Sequence, residues 1–207
     1  MESLEQIVAR LNAAVPAAKA QILVNEAGNG QNSVLIAAQA GAQAARWLRD
    51  DPQLQFDFLS NATGVDWPEL VTKTKVKKKK LVDGVEKEVE EVVETRRPAY
   101  LEAVYHLYSV ALKHGPIVIR LRTGDRTANV TLPSLTPVWR GAELQEREIY
   151  DLYGIRFEGH PDLRRLLMWE EFQDHPMRKD YVEPDDYEYE PTPHDEVLTK
   201  AKAHYPS

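Results

Sequence analysis

The chain contains no cysteine among its 207 residues. Disulfides, zinc fingers and iron–sulfur clusters held by cysteine are therefore excluded. The sequence also lacks any run that approaches the ~18 apolar residues of a membrane-spanning helix. Its first residues, Met1 to Glu5, lack the basic and then apolar pattern of a secretory signal. We therefore expect a soluble, intracellular chain.

An excess of positive charge is also missing. Lysine and arginine number 26 against 33 aspartates and glutamates, which gives a formal net charge of −7. Affinity for a phosphate backbone comes largely from excess basic side chains, so this balance argues against general nucleic-acid binding. With 43% hydrophobic residues, the chain is long enough to bury a core. We predict an α+β domain over residues 1–158 and an extended C-terminal arm over residues 159–207 that contacts partners.

Hydrophobic periodicity predicts alternating helices and strands. Ser3 and Gln6 have the spacing of a capping box ahead of a helix that ends at Pro16, and the alanine-rich segment 37–50 predicts a second helix. Strands are predicted at 22–24, 34–36, 54–58, 101–107 and 117–121, where apolar residues form short runs or alternate with others. This order predicts an α+β fold in which helices pack on one face of a mixed or antiparallel sheet.

Two glycines, Gly28 and Gly30, lie between the first two predicted strands and indicate a turn. Their spacing also begins like a dinucleotide-binding fingerprint. The third glycine position holds Ser33, and a strand rather than a phosphate-binding helix follows. The nucleotide-loop interpretation is therefore rejected.

Residues 73–97 form a charged insertion in this pattern. A helix is one interpretation, but we favour a hairpin because Asp83-Gly84 is a strong two-residue turn signal. With Val82 opposite Val85, the register places opposite charges face to face, which stabilises paired strands. The predicted pairs are Lys79 with Glu88, Lys77 with Glu90 and Lys73 with Glu94. We expect the basic run 77–80 to be neutralised within the hairpin.

A third helix is predicted from about Pro137 to Tyr153. Thr136 can cap its start, with Pro137 at the first helical position, and Gly154 can end it with a positive φ. Val138, Ala142, Gln145, Ile149 and Leu152 share one face, whereas Glu143, Arg147 and Asp151 form a charged i, i+4 ladder on another. Taken alone, such a ladder is typical of a solvated helix face.

Two His-Pro turns after this helix favour a different interpretation. His160-Pro161 is followed by Arg164 and Arg165, and His175-Pro176 is followed by Arg178 and Lys179. Each turn has paired cations and a nearby acid, so these segments are predicted to be fixed anchors for the carboxylates of a partner.

The same residues resemble a known family. The stretch from Trp139 to Tyr181 closely resembles the C subunit of the proton-translocating NADH:quinone oxidoreductase, respiratory complex I; residues 63–67 and 104–109 extend the resemblance more weakly. The motifs are Glu-Arg-Glu-x-x-Asp-Leu-Tyr-Gly-Ile-x-Phe-x-Gly-His-Pro-Asp-Leu-Arg-Arg from Glu146 and His-Pro-Met-Arg-Lys-Asp-Tyr from His175. The chain departs from the family at Asp174, where glycine is usual, and at Val182, where proline is usual.

This resemblance implies a scaffold subunit of the hydrophilic arm, peripheral on the cytoplasmic side of the membrane. The complex passes electrons from NADH through flavin and iron–sulfur clusters to quinone, coupled to proton translocation. The subunit itself holds no cofactor and is expected to have no activity in isolation. Its partners would be the subunits that carry the terminal iron–sulfur cluster and the quinone cavity. Related membrane-bound hydrogenases and plastoquinone-reducing complexes use similar subunits, so the electron donor stays open.

The residues predicted to contact partners belong to the helix and the two His-Pro turns. Arginines are expected to bind carboxylates, acids to accept hydrogen bonds, and glycines and prolines to shape the backbone. The full set is Glu146, Arg147, Glu148, Asp151, Gly154, Gly159, His160, Pro161, Asp162, Arg164, Arg165, His175, Pro176, Arg178, Lys179, Asp180 and Tyr181.

A metal-dependent hydrolase that uses His160 and Asp162 is the alternative from another class. Histidines 160, 175 and 194 lie near aspartates 162, 174 and 195, but no two histidines have metal-binding i, i+4 spacing. Glu146 and Glu148 point to different sides of one helix, which argues against a shared acid–base site. We therefore predict no catalytic, cofactor-binding or metal site in this chain.

The last part of the chain, from Asp180 onward, is rich in acids, prolines and tyrosines and cannot form a core of its own. A disordered terminus is one interpretation. The other is an arm that folds along a partner, with Tyr181, Tyr187 and Tyr189 as aromatic contacts and a short last helix after Thr192-Pro193.

Overall fold

A computed structural model of the protein describes residues 2–25, 27, 30–82 and 85–182, and for residues 75–82 and 85–93 it describes the backbone alone. The helices are α1 (Leu4–Ala14), α2 (Gly41–Asp50) and α3 (Ala142–Tyr153), with 3₁₀ turns at Pro16–Ala18 and Ala38–Ala40. The strands are β1 (Gln21–Leu23), β2 (Ser33–Ile36), β3 (Phe58–Trp67), β4 (Leu70–Val82), β5 (Val85–Arg97), β6 (Tyr100–Ser109), β7 (His114–Arg122), β8 (Thr131–Pro133) and β9 (Arg156–Glu158).

The central sheet has five strands in the order β1-β2-β7-β6-β3. Strands β2 and β7 run parallel, and the other neighbours run antiparallel, so the sheet is mixed. Tyr105 of β6 and Ile119 of β7 are paired on one face, and both are fully buried. The buried core also contains Ile7 of α1, Leu48 of α2 and Ile149 of α3. The predicted α+β fold, with helices on one face of a mixed sheet, is confirmed.

Helix α1 begins as the sequence predicts. Ser3 Oγ accepts a 3.3 Å hydrogen bond from the Gln6 amide, and Gln6 Oε1 accepts a 2.9 Å bond from the Ser3 amide. The prediction for residues 54–58 is wrong in part, because Leu54 and Phe56 lie in the loop before β3. Both are fully buried, and the Phe56 amide donates to the Leu48 carbonyl at the end of α2. Their alternation reflects a loop that covers the core.

Strands β4 and β5 form a two-stranded antiparallel sheet. The pairing has the predicted register, with Val82 opposite Val85, Lys79 opposite Glu88, Lys77 opposite Glu90 and Lys73 opposite Glu94. Lys73 Nζ and Glu94 Oε1 form an ion pair of 2.8 Å. The predicted Asp83-Gly84 turn lies outside the described residues.

Helix α3 begins five residues later than predicted, at Ala142 rather than Pro137. Thr136 does not cap it. Its hydroxyl instead donates a 3.1 Å hydrogen bond to Glu146 Oε2, and the Leu135 amide donates to Glu146 Oε1 at 2.7 Å. These bonds fold residues 134–136 back towards the helix and prevent an earlier start. The end is as predicted, since Gly154 has φ of +80° and its amide donates to the Tyr150 carbonyl.

Candidate partner-binding site

Hydrogen bonds from side chains to backbone carbonyls hold the first His-Pro turn against α3. Arg147, which is 8% exposed, donates from Nε to the Arg164 carbonyl at 3.1 Å and from Nη2 to the Arg165 carbonyl at 2.9 Å. His160 Nε2 donates to the Glu143 carbonyl at 2.9 Å, while its Nδ1 accepts from the Asp162 amide. Arg147 therefore holds the segment after the first His-Pro turn against α3. The interpretation of the charged ladder as a solvated helix face is wrong.

Asp151, the last member of that ladder, is fully buried. Its Oδ2 accepts hydrogen bonds of 2.7–3.0 Å from the backbone amides of Leu166, Leu167 and Met168. Arg165 Nη1 donates to Oδ1 at 2.7 Å. Burial opposes the charge, but the amide and guanidinium donors outweigh it and lower the pKa of Asp151. One ionised carboxylate thus shapes the loop after the first His-Pro turn.

The second His-Pro turn covers the C-terminal end of α3. His175 Nδ1 donates to the Asp151 carbonyl at 2.9 Å, and Arg178 Nε donates to the Tyr153 carbonyl at 2.7 Å. The Met177 amide donates to the Leu152 carbonyl at 3.1 Å. These donors satisfy carbonyls that a helix end leaves free, at the negative end of the helix dipole.

Gly154 makes this packing possible. A Cβ at this position would lie 2.5 Å from His175 Nε2 and 2.7 Å from Arg178 Nη2. The glycine is therefore required both for its positive φ and for the close approach of the second turn.

A buried acid on the central sheet holds the end of the same segment. Asp66 of β3 accepts two hydrogen bonds of 2.6 Å from Arg126 and one of 2.7 Å from the Lys179 amide. Arg126 also donates to both carboxylate oxygens of Asp180, at 2.8 and 2.5 Å. Burial alone would raise the pKa of Asp66, but the hydrogen bonds from Arg126 and Lys179 lower it.

Neither Arg126 nor Asp66 was predicted from the sequence to be functional. Asp66 lies within residues 63–67, the weaker part of the family resemblance. No local signal pointed to it, because Asp66 lies between the apolar residues Val65 and Trp67, a pattern that would place the acid on the exposed face of a strand.

Glu146, one of the predicted contact residues, directs its carboxylate into the chain. It is fully buried and accepts hydrogen bonds from Ser134 Oγ (2.6 Å), the Leu135 amide, Thr136 Oγ1 and Tyr105 Oη (3.2 Å). Burial raises the pKa of Glu146 despite these donors. The carboxylate of Asp151 is likewise used inside the chain, and contact of either residue with a partner stays a prediction. Glu148, by contrast, is exposed, so the two glutamates do point to different sides of the helix.

The remaining predicted contact residues separate by exposure. Arg147 and Gly154 are buried, and those that are partly exposed are His160, Arg165, His175, Pro176, Arg178 and Tyr181. Exposed residues are Glu148, Gly159, Pro161, Asp162, Arg164, Lys179 and Asp180. The structure brings all of them around α3, and their contact with a partner stays a prediction. The tail residues Tyr187, Tyr189, Thr192, His194 and Asp195 lie outside the described residues.

The described part of the chain contains neither a cluster of metal ligands nor a helix that could span a membrane. Within residues 2–25, 27, 30–82 and 85–182, no group of three or more metal-ligating side chains occurs. Over the same ranges, none of the helices combines the length and apolar character that a membrane crossing requires.

Residues 34–187 match the family described as the respiratory-chain NADH dehydrogenase, 30 kDa subunit. The chain belongs to this family. Among curated relatives, the NADH-quinone oxidoreductase C subunit of Roseiflexus castenholzii is 38% identical over 174 residues, which cover 84% of this chain and 81% of the relative. The NADH-quinone oxidoreductase C 2 subunit of Rhizobium meliloti is 38% identical over 156 residues, which cover 75% of this chain and 68% of the relative.

One solved structure has a fold similar to that of this chain. A chain of the membrane-bound sulfane sulfur reductase, an archaeal respiratory membrane complex, superposes with a TM-score of 0.57 over 99% of this chain and 92% of that chain. The sequence identity is 19%, so this likeness concerns the fold alone.

Proposed function

We propose that the chain is a non-catalytic scaffold subunit in the peripheral arm of an NADH:quinone oxidoreductase. In this role it would support electron transfer from NADH, through flavin and iron–sulfur clusters held by other subunits, to quinone with coupled proton translocation. Its partners would be the subunits with the terminal cluster and the quinone cavity, on the cytoplasmic side of the membrane. Membership in the 30 kDa-subunit family supports this assignment.

One structural observation carries the scaffold role. Residues 160–182 have no regular secondary structure, yet Arg147, Asp151 and Asp66 fasten them to α3 and the sheet. On its outer side this segment exposes Leu167 (63%) and Met177 (53%). A rigidly held loop with exposed apolar side chains is typical of a protein–protein contact surface.

Three charged residues of the motifs are used inside the chain, which argues against a catalytic site. Asp151, Glu146 and Arg147 each bind backbone or side-chain groups of the same chain rather than facing a pocket together. The isolated chain is therefore proposed to have no oxidoreductase activity.

The test is to tag the chain in its native cell, solubilise membranes gently, and identify companions by native gel and mass spectrometry. Recovery with flavin and iron–sulfur subunits is the expected result, and it also names the electron-donor module. Leu167→Asp should lower this recovery, whereas Val24→Asp, at another exposed apolar residue, should not. Recovery of the chain alone, or with a stoichiometric metal, would overturn the scaffold role and favour the hydrolase alternative.

A further inference from the structure

A cleft of about 430 Å³ lies beside the C-terminal end of α3. Its walls are residues 127–131, the start of β9, the end of the helix and the residues around the second His-Pro turn. They bring together Arg156, Arg165, Arg178 and His175. Aspartate and glutamate are absent from the described residues that line it. The cleft therefore concentrates positive charge in a chain whose overall charge is negative.

Two of these arginines have donor groups to spare. Arg178 uses Nε on the Tyr153 carbonyl, and its two terminal nitrogens make no hydrogen bond or ion pair with the described part of the chain. The side chain of Arg156 is exposed and makes neither kind of contact within the same residues, although its backbone amide donates to the Val130 carbonyl. Arg165 differs, because Asp151 and the Asp174 carbonyl occupy its guanidinium.

The remaining lining groups do not neutralise this charge. His175 donates from Nδ1 to the Asp151 carbonyl, so in its neutral form Nε2 carries no proton and the arginines must supply the donors. Partial burial, and next the nearby charge of Arg126, lower the pKa of Arg178. An anion in the cleft would offset the repulsion from Arg126, since opposite charge favours the protonated guanidinium.

We propose that this cleft binds the carboxylate of an acidic side chain from a partner subunit, held by Arg156 and Arg178. The inference rests on the proposed scaffold function, because it needs a partner at this surface. Met177 is 53% exposed and directly precedes Arg178, so a protein that places an acid in the cleft also has apolar surface to cover beside it. Planar guanidinium groups suit carboxylates because they can donate two parallel hydrogen bonds.

The experiment uses the intact complex purified through the tagged chain. Arg156→Glu should reduce co-purification of the partner subunits by about tenfold at low salt, because it places an acid against an acid and this repulsion is screened least there. Arg140→Glu is the matched control, since Arg140 is an exposed arginine outside the cleft, and it should leave recovery unchanged. Thermal unfolding of each isolated variant should match that of the wild type, which separates loss of binding from loss of fold.

A photo-crosslinking residue at position 156 identifies the occupant. A cross-link to an acidic peptide of another subunit, with assembly of Arg156→Glu restored when that acid is changed to arginine, is the expected result. A cross-link to residues 183–207 of the same chain would assign the cleft to the chain's own acidic end and overturn the proposal. Phosphate binding by the isolated wild-type chain, lost in Arg156→Glu, together with a probe at position 156 that cross-links to no other subunit, would assign the cleft to a small anion and also overturn the proposal.

The two hypotheses fail differently. If the wild-type chain recovers no companions, the scaffold function is wrong. If the wild type recovers them and Arg156→Glu recovers the same amount at every salt concentration, only the cleft assignment is wrong.

Discussion

Asp151 Oδ1 and Arg165 Nη1 lie 2.7 Å apart and join α3 to a loop fourteen residues later in the chain. Both side chains are shielded, since Asp151 is 0% and Arg165 11% exposed. Removing the partners of a buried carboxylate costs several kcal/mol of folding free energy, and so does removing the carboxylate from its buried donors. This pair is therefore central to the shape of the surface proposed to meet a partner.

Asp151→Asn should lower the free energy of unfolding by about 3 kcal/mol, because Arg165 and three backbone amides lose their charged acceptor. Urea unfolding followed by circular dichroism measures this loss. Glu148→Gln, an exposed position on the same helix, is the control and should change stability by less than about 0.5 kcal/mol. Equal midpoints for the two variants would show that the Asp151 network contributes nothing.

The Asp151 network should also give a defined pH dependence. Its folded-state pKa is lowered, so its contribution is present above the unfolded value of about 3.9 and is lost as pH falls through the folded value. The difference in stability between the wild type and Asp151→Asn should therefore be constant near neutral pH and shrink below about pH 4. A difference that stays constant to lower pH would contradict the lowered pKa.

Glu146 should change the stability with pH in the opposite direction. Burial raises its folded-state pKa, so protonation favours the folded state and stability is gained as pH falls through the folded value towards about 4.3. The wild type should gain stability relative to Glu146→Gln over this range, as measured by unfolding at a series of pH values. Parallel curves for the two proteins would show that Glu146 titrates as in the unfolded chain.

Gly64→Ala should destabilise the fold by about 1–3 kcal/mol, because a Cβ on β3 would overlap the ring of Tyr153 on α3. Thermal unfolding measures the effect. Gly141→Ala is a matched control, since its Cβ would meet only the Leu59 carbonyl at 3.6 Å, and should change stability by less than about 1 kcal/mol. If the two variants unfold alike, the contact between α3 and the sheet is looser than described.

Arg126→Met should release the end of the second His-Pro segment, because Arg126 links Asp66 to Asp180. Hydrogen exchange at the Lys179 amide, which donates to Asp66, should become at least about tenfold faster. Arg140→Met, at an exposed arginine, should leave that amide unchanged. Unchanged exchange in Arg126→Met would mean that other contacts hold this segment.

The sequence predicted most of the fold because its signals are local. The Ser3–Gln6 capping box and the alternation in β6 and β7 act between residues a few positions apart. The site could not be assembled in this way. The Lys179 amide meets Asp66 across 113 positions, and no spacing rule encodes that contact. Local signals also misplaced the start of α3, because Glu146 draws residues 134–136 into hydrogen bonds that compete with capping.

The motifs identified the family correctly, and the structure shows that several of their side chains bind groups within the chain. Sequence shows which side chains carry charge, but it does not show which carbonyls lie within reach of Arg147 or Arg178. That depends on how the irregular segment 160–182 crosses α3.

The charged hairpin continues the register of the central sheet. Trp67 pairs with Tyr100 at the end of β3 and β6, and Leu70 pairs with Arg97 at the start of β4 and β5, three residues further on each strand. Pro68 and Pro98, which have no amide hydrogen, lie in the gap. The two strand pairs therefore act as one continuous two-stranded ribbon. A deletion that removes the same even number of residues from β4 and from β5 would shorten this ribbon and keep each remaining side chain on its original face.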